Sequence, residues 1–205
     1  MTNTLGTPEY NIHLITDYLV SGQLSLKSTD DLVAELQKEV GKEESFAHAA
    51  IGDDDDDQWP EIRKSSVHWL CDSDNAVSFV EKLVSEINTN YFDVDISDSA
   101  IEYQYTVYSD RQDHYDWHQD FYDDELPPSR FVRTLSVSVC LSSSEHYDGA
   151  EFFIQDGPAQ NIRTFKMKYG DFIVFPSSCL HRVNMLREGK RISLVIWYGY
   201  FKPED

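Results

Sequence analysis

The chain of 205 residues is poor in positive charge: 17 lysines and arginines face 37 aspartates and glutamates, a formal net charge of −20. A surface of that sign repels phosphate backbones, whose binding rests on Lys and Arg neutralising phosphates. Nucleic acid is therefore an unfavoured partner unless a local basic patch overrides the field, and the acidity reads as a solubility device. Cysteine is scarce as well. Cys71, Cys140 and Cys179 are odd in number, far apart and without a CxxC pair, so no disulfide framework or zinc site of that kind is expected. Cys140 and Cys179 sit in apolar runs and read as small core residues. No apolar run reaches the roughly 18 residues of a membrane helix. The N-terminal stretch to Leu19 has neither a basic start nor a clean apolar run, so no secretory signal is read and a cytoplasmic location is expected.

What is present suffices for a core. Hydrophobic residues make up 40% and aromatics 13%, an ordinary globular composition. The length suits one domain over residues 1–205, with a helical or mixed supporting part (1–99) and a β core (100–205). Ser28-Thr29-Asp30-Asp31 offers N-cap oxygens ahead of Leu32, Val33, Leu36 and Val40, and Gly41 follows as a stop. A second amphipathic helix is expected from about Asp74-Asn75, carrying Val77, Val80, Leu83, Val84 and Ile87 at spacings of three and four. Between them Asp53 to Asp57 form a run of like charge that stays solvated as a loop. The run lacks the alternating ligands and glycine turn of a calcium loop.

From about residue 100 the period becomes two. Ile101, Tyr103, Tyr105 and Val107 alternate with Glu102, Gln104, Thr106 and Tyr108; Leu135, Val137, Val139 and Leu141 alternate with Thr134, Ser136, Ser138 and Cys140. Phe152 to Ile154, Thr164 to Met167, Phe172 to Phe175 and Ile192 to Tyr198 are further short strands. Turn signals at Asp156-Gly157-Pro158, Tyr169-Gly170-Asp171 and Glu188-Gly189-Lys190 separate several of them. Many short strands predict a mainly β, α+β protein built as a sandwich or jelly roll. The small polar face of 134–141 meets solvent in a free-standing sandwich but lines a cavity in a ligand-holding jelly roll. The two amphipathic helices, whose apolar faces need a sheet to cover, favour the cavity.

Tyr115-Asp116-Trp117-His118-Gln119-Asp120-Phe121 closes one strand, and residues i and i+2 of a strand project to one side, so His118 and Asp120 aim at a common point. His181, opening another strand after Pro176-Ser177-Ser178-Cys179-Leu180, offers a third ligand. Two histidines and one carboxylate leave open positions that suit iron(II). Ten positions on, Arg191 opens the apolar strand Arg191 to Trp197. A buried guanidinium calls for a carboxylate, either a ligand's or that of Glu151 or Asp171.

These residues and their spacing resemble the Fe(II)- and 2-oxoglutarate-dependent dioxygenases, within them the prolyl 4-hydroxylase-like group that includes the PKHD-type hydroxylases. The likeness covers roughly residues 100–200 and includes Asp148-Gly149-Ala150-Glu151, Gly170 to Ser177 and His181-Arg182-Val183, with a looser match at Ile62 to Trp69. The resemblance implies a double-stranded β-helix. It implies that His118, Asp120 and His181 ligate iron and that Arg191 binds the far carboxylate of 2-oxoglutarate. Ser193, Tyr108 and Trp197 would line the cosubstrate pocket, with Ser136 as a further hydrogen-bonding group. Cys140 stands where animal relatives place a tyrosine against the cosubstrate, a departure from the pattern. The implied reaction uses O2 and 2-oxoglutarate, releases succinate and carbon dioxide, and hydroxylates a C–H bond, with ascorbate as a candidate reductant. Asp120 argues against a halogenase, whose relatives lack that carboxylate.

Tyr115, Trp117, Gln119, Phe121 and Arg133 are expected near the mouth. By resemblance the substrate is a prolyl or other peptidyl residue, with a small molecule as the alternative. A non-catalytic metal-binding jelly roll is the contrasting class, and it has no need of Arg191. A serine hydrolase using Ser177 or Ser178 with His181 lacks the Gly-x-Ser-x-Gly elbow. Iron affinity is expected to fall below about pH 6, where histidine protonates.

Overall fold

The computed structural model describes residues 4–7, 9–40, 47–48, 60–70, 78–96, 99–121, 131–156 and 161–202. In chain order the elements are β1 (Thr4–Thr7), β2 (Tyr10–Thr16), β3 (Leu19–Leu24), α1 (Leu26–Val40), β4 (Ala47–His48), β5 (Arg63–Lys64), β6 (Ser66–Leu70) and α2 (Ser78–Ile87). They continue with β7 (Ala100–Tyr108), β8 (His114–His118), β9 (Phe131–Cys140), β10 (Tyr147–Gly149), β11 (Phe152–Asp156) and β12 (Asn161–Phe165). The last four are β13 (Asp171–Pro176), β14 (His181–Val183), β15 (Leu186–Gly189) and β16 (Arg191–Phe201). A nine-stranded sheet in the order β1-β2-β3-β13-β9-β16-β7-β6-β4 faces a five-stranded sheet in the order β12-β11-β14-β8-β5, with a β10-β15 pair beside them. This is the jelly roll, one of the two architectures the strand periodicity allowed and the one the family resemblance implied.

The larger sheet has two buried faces, and the alternation along its central strands separates them. Tyr103, Tyr105 and Val107 of β7, Leu135, Val137 and Val139 of β9, and Leu194 and Ile196 of β16 form one core with Leu32 and Leu36 of α1 and Val80, Leu83, Val84 and Ile87 of α2. Each such side chain contributes about 1.5–3 kcal/mol by leaving water. The opposite face carries Thr106, Tyr108, Ser138, Arg191, Ser193 and Trp197 towards the smaller sheet. Ser138, on the polar face of β9, therefore lines a cavity of the kind the two helices indicated.

Several boundaries differ from the expected ones. Helix α1 begins at Leu26, two residues before Ser28-Asp31, because Ser25 is the cap: its Oγ accepts the Ser28 N–H at 3.1 Å. The strand expected at Thr164 to Met167 is β12, which ends at Phe165 in a hairpin with β11. The start of α2 at Asp74-Asn75, Val77, the stop at Gly41, the aspartate run, Cys71 and the Asp156-Gly157-Pro158 turn lie wholly or partly outside the described residues. The N-terminal hairpin β2-β3 joins the larger sheet by pairing β3 with β13, an addition no strong periodicity announced. Gly22 lets it fit, since a Cβ there would lie 2.3 Å from the Phe172 ring.

Candidate metal centre

His118 ends β8 and His181 opens β14, and the antiparallel pairing sets the two residues directly opposite each other. Their ring centroids are 4.1 Å apart. Beyond the end of β8 the chain crosses to the turn after β13, where the Asp120 and Phe121 N–H groups both donate to the Ser177 carbonyl at 2.9 and 3.0 Å. This brings Asp120 between the rings: His118 Nε2 lies 3.6 Å from its Oδ1 and His181 Nε2 lies 3.5 Å from its Oδ2. One ligand atom from each of the three residues lies within 4.8 Å of the others.

Hydrogen bonds fix the tautomers. The His118 Nδ1–H donates to the Asp116 carbonyl at 2.7 Å and the His181 Nδ1–H donates to the Cys179 carbonyl at 2.9 Å. Both Nε2 lone pairs are then left facing the carboxylate, the state in which imidazole binds a metal. Burial and the facing His181 drive the His118 pKa well below its usual value, outweighing Asp120. Burial pushes the Asp120 carboxyl up, yet His181, His118 and Arg133 outweigh it and bring it down to about 2. Two imidazoles presenting Nε2 beside an ionised carboxylate are the donor set of a ferrous site, and the cluster fits that ion.

Arg191 lies in the same pocket and is 1% exposed. Its Nη1 is 3.4 Å from the Ser193 hydroxyl, its Nη2 is 3.7 Å from the Met167 sulfur, and its guanidinium stands 5.6 Å from the centre of the Tyr108 ring. Its Nε has no hydrogen-bond partner, and among the described residues no carboxylate pairs with it. The protein partners weighed for it are engaged elsewhere. Glu151 bonds Asn184 and Arg187, and Asp171 accepts the Lys168 N–H. A cation held dry without a counter-ion fits a ligand's carboxylate.

The other expected site residues divide. Tyr108, Ser193 and Trp197 line the pocket, and burial raises the Tyr108 hydroxyl pKa, so the phenol stays a donor. Ser136 does not line it: its hydroxyl is bound to Asp120 and Ser177, and Ser138, two residues on, is the pocket-lining serine of β9. Tyr115 lies against His118. Trp117 turns away to Phe153 and Arg182. Gln119 is exposed and donates to the Ser178 carbonyl at 2.5 Å. Half-buried Phe121 follows Asp120 on the Ser177 turn. Arg133 is paired with Glu102 at 2.8 Å and stacked 3.9 Å over Trp197. Cys140 is buried beside the Tyr147 hydroxyl, which donates to the Met167 carbonyl at 2.5 Å. The buried Ser177 hydroxyl serves Ser136, so the hydrolase arrangement with His181 is not formed.

Gln104, Thr106 and Arg63 line the pocket without having been anticipated as site residues. The Gln104 side-chain Oε1 accepts from Arg63 at 2.7 Å and from Thr106 at 3.0 Å. The polar phase of the β7 alternation carried the signal for Gln104 and Thr106. Nothing in the sequence distance between Arg63 and His118 carried one for Arg63.

Comparison with known families agrees with this geometry: residues 103–199 match the 2OG-Fe(II) oxygenase superfamily. Proteins similar to part of this chain include PKHD-type hydroxylases. One from Teredinibacter turnerae is 33% identical over 81 residues, covering 39% of this chain and 35% of the relative. The aligned stretch spans about a third of the length of the curated relatives it matches. Two solved structures share the fold. A Pseudomonas putida prolyl-4-hydroxylase superposes with a TM-score of 0.65 at 18% identity, over 89% of this chain and 92% of that one. A Trichoplax adhaerens prolyl hydroxylase, in complex with a hypoxia inducible factor oxygen degradation domain peptide fragment, superposes with a TM-score of 0.64 at 15% identity, over 94% and 84%.

Proposed function

We propose that the protein is a 2-oxoglutarate-dependent dioxygenase that hydroxylates a C–H bond of a peptidyl residue, with proline the first candidate. His118, Asp120 and His181 would hold Fe(II), and Arg191 would hold the far carboxylate of the cosubstrate. The observation that carries this reading is the Arg191 guanidinium, dry and without a carboxylate among the described residues, in one pocket with the His-Asp-His cluster. Holding such a cation costs stability unless a ligand neutralises it. A non-catalytic metal-binding jelly roll has no reason to carry it.

When bound, the ferrous ion supplies the oxygen chemistry that couples decarboxylation of 2-oxoglutarate to succinate and carbon dioxide with hydroxylation of the substrate. The chain supplies geometry. Backbone carbonyls hold both imidazoles with Nε2 inward, and Arg191 with Ser193 and the Tyr108 phenol sets the depth at which a dicarboxylate sits. Apolar Phe152, Phe175, Val183 and Val195 exclude water from between them.

A peptide substrate is supported by the peptide bound to the Trichoplax homologue and by an aromatic shelf at the mouth. Trp69 is 48% exposed and its ring lies 5.8 Å from that of Trp197, on which Arg133 stacks. A free small molecule is the competing class. Ascorbate enters only as the reductant that would restore ferrous iron after an uncoupled turnover. Buried Cys140, outside any disulfide, suits a reducing compartment and supports a cytoplasmic location; among the described residues no helix is long and apolar enough to cross a membrane. Residues 1–205 are proposed to work as one domain, since strands from both halves share the sheet that carries Arg191.

The test is anaerobic addition of Fe(II) and then 2-oxoglutarate. A weak visible metal-to-ligand charge-transfer band is expected, absent from a His118→Ala, His181→Ala double variant. No band in the wild type, or an unchanged band in the variant, overturns the proposal. Succinate release across peptide and metabolite pools then decides the substrate class.

A further inference from the structure

We propose that Ser136, backed by Ser177, is a positioning residue that restricts the Asp120 carboxylate to one metal bond. The inference rests on the reading of the His-Asp-His cluster as the iron site and concerns how many of that ion's positions stay open.

The Ser136 hydroxyl donates to Asp120 Oδ2 at 2.7 Å. The Ser177 Oγ stands 2.8 Å from the Ser136 Oγ, and with the Ser136 proton on the carboxylate, Ser177 is the donor to Ser136. Both serines are 0% exposed and Asp120 is 4% exposed, so no water competes for these bonds. The main chain fixes the same group a second way. Asp120 and Phe121 donate to the Ser177 carbonyl, and the Ser177 N–H donates to the Thr134 carbonyl at 3.0 Å, two residues before Ser136 on β9. The Ser177 backbone thus sets where Asp120 stands, and its side chain, through Ser136, sets how the carboxylate is turned.

The turning matters because both carboxylate oxygens face imidazoles, Oδ1 at 3.6 Å from His118 Nε2 and Oδ2 at 3.5 Å from His181 Nε2. The terminal bond of an aspartate is a broad, soft rotor, so a bare carboxylate at this place can offer a metal one oxygen or both. A charge-assisted hydrogen bond on Oδ2 takes one of its two lone pairs and holds the carboxylate plane, which makes Oδ1 the better metal donor. Two imidazoles and one oxygen leave three octahedral positions, enough for a chelating keto acid and for oxygen. A second carboxylate oxygen takes one of the three, and the keto acid and oxygen can no longer bind together. Ser136, expected among the cosubstrate contacts, acts one step further back.

The test uses the 205-residue chain loaded with Mn(II), which does not turn over. Mn(II) affinity is read by electron paramagnetic resonance, and 2-oxoglutarate affinity for the loaded protein by calorimetry. Ser136→Ala is expected to keep Mn(II) affinity or raise it while 2-oxoglutarate affinity falls about tenfold, the low end for groups that orient metal ligands. Ser177→Ala, which leaves the Ser136 bond in place, is expected to give a smaller fall in the same direction and serves where Ser136→Ala does not fold. Cosubstrate affinity within about twofold of wild type in both variants overturns the inference. So does a parallel loss of metal and cosubstrate affinity, which would mark a merely structural role. A wild type that binds no Mn(II) sinks the iron reading itself, whereas binding of both ligands with unchanged variants sinks only the role of the serines.

Discussion

The Tyr115 ring lies flat on the His118 imidazole, with centroids 3.4 Å apart and planes 13° apart. In a regular strand residues three apart face opposite sides. Here His118 pairs with His181 while Tyr115 pairs with Val183, three residues against two, so β8 carries one extra residue between them. That bulge turns both rings to the pocket, and the Arg63 guanidinium stands 4.4 Å over the same tyrosine. Tyr115 therefore sets the plane of a metal-binding ring. Tyr115→Leu is expected to weaken Mn(II) binding about tenfold, as other supports of metal ligands do. Titration checks it, and an unchanged affinity would show that the two Nδ1 hydrogen bonds orient the histidines unaided.

Arg191 predicts a conflict between stability and function. In the ligand-free protein it is a buried charge whose Nε is unsatisfied. Arg191→Met keeps much of the volume and removes the charge, so the ligand-free variant is expected to be about 1–3 kcal/mol more stable, a rise in Tm of roughly 3–10 °C. The same variant should lose the further rise that 2-oxoglutarate gives the metal-loaded wild type. Calorimetric scans with and without 2-oxoglutarate measure both effects. A variant less stable than wild type would mean that the guanidinium already has a counter-charge in the folded chain.

The metal-free protein should be acid-labile for a reason traceable to the same cluster. The His118 pKa is lowered by burial and by His181, so the folded state keeps it neutral where the unfolded chain, near pKa 6.5, takes up a proton. The unfolded state binds more protons in that window, so this contribution is present above about pH 6.5 and is lost as pH falls below it. Asp120, brought from 3.8 to about 2, adds a second loss further down as pH passes between those values. Urea midpoints near pH 7.5, 6.5 and 5.5 should therefore decline, and His118→Asn should flatten the decline. Superimposable pH profiles for the two proteins would contradict the assignment. For His118 the fall in metal affinity expected below about pH 6 moves to lower pH.

The parts of this site that could be read from sequence are those set by strand geometry at short range. The i, i+2 spacing of His118 and Asp120, the polar phase of β9 and a lone arginine in an apolar strand are local facts with three-dimensional consequences. The β8 bulge is not local in this sense, because it depends on what β14 offers opposite, and without it Trp117 is naturally placed at the mouth instead of against Phe153. Ser136 and Ser138 share a face, and only the path of the chain through Asp120 decides which one meets the carboxylate. The β2-β3 hairpin escaped because the sheet edge tolerates Asn11, His13, Ser21 and Gln23, which blur the alternation. Arg63 belongs to a two-residue strand whose place at the pocket is set by pairing with His114 and Tyr115.

Arg133 offers a test that tells substrate binding from cosubstrate binding. Its Nε and Nη2 both donate to Glu102 Oε2, at 3.0 and 2.8 Å, and its plane lies 3.9 Å over the Trp197 ring. A lysine keeps the positive charge that helps hold Asp120 ionised but loses the planar stack and the fork. Arg133→Lys is therefore expected to leave 2-oxoglutarate affinity of the Mn(II)-loaded protein within about twofold of wild type. The KM for a peptide that scores in the succinate-release screen should rise about tenfold, the size of one partly desolvated cation–π contact. Since Arg191 lines the pocket whereas Arg133 reaches it only through the Trp197 ring, the two variants should fail on different ligands. If Arg133→Lys instead weakened 2-oxoglutarate and spared the peptide, the aromatic shelf at Trp69 and Trp197 would belong to the cosubstrate side, and the peptide would have to approach from the Arg63 and Tyr115 wall.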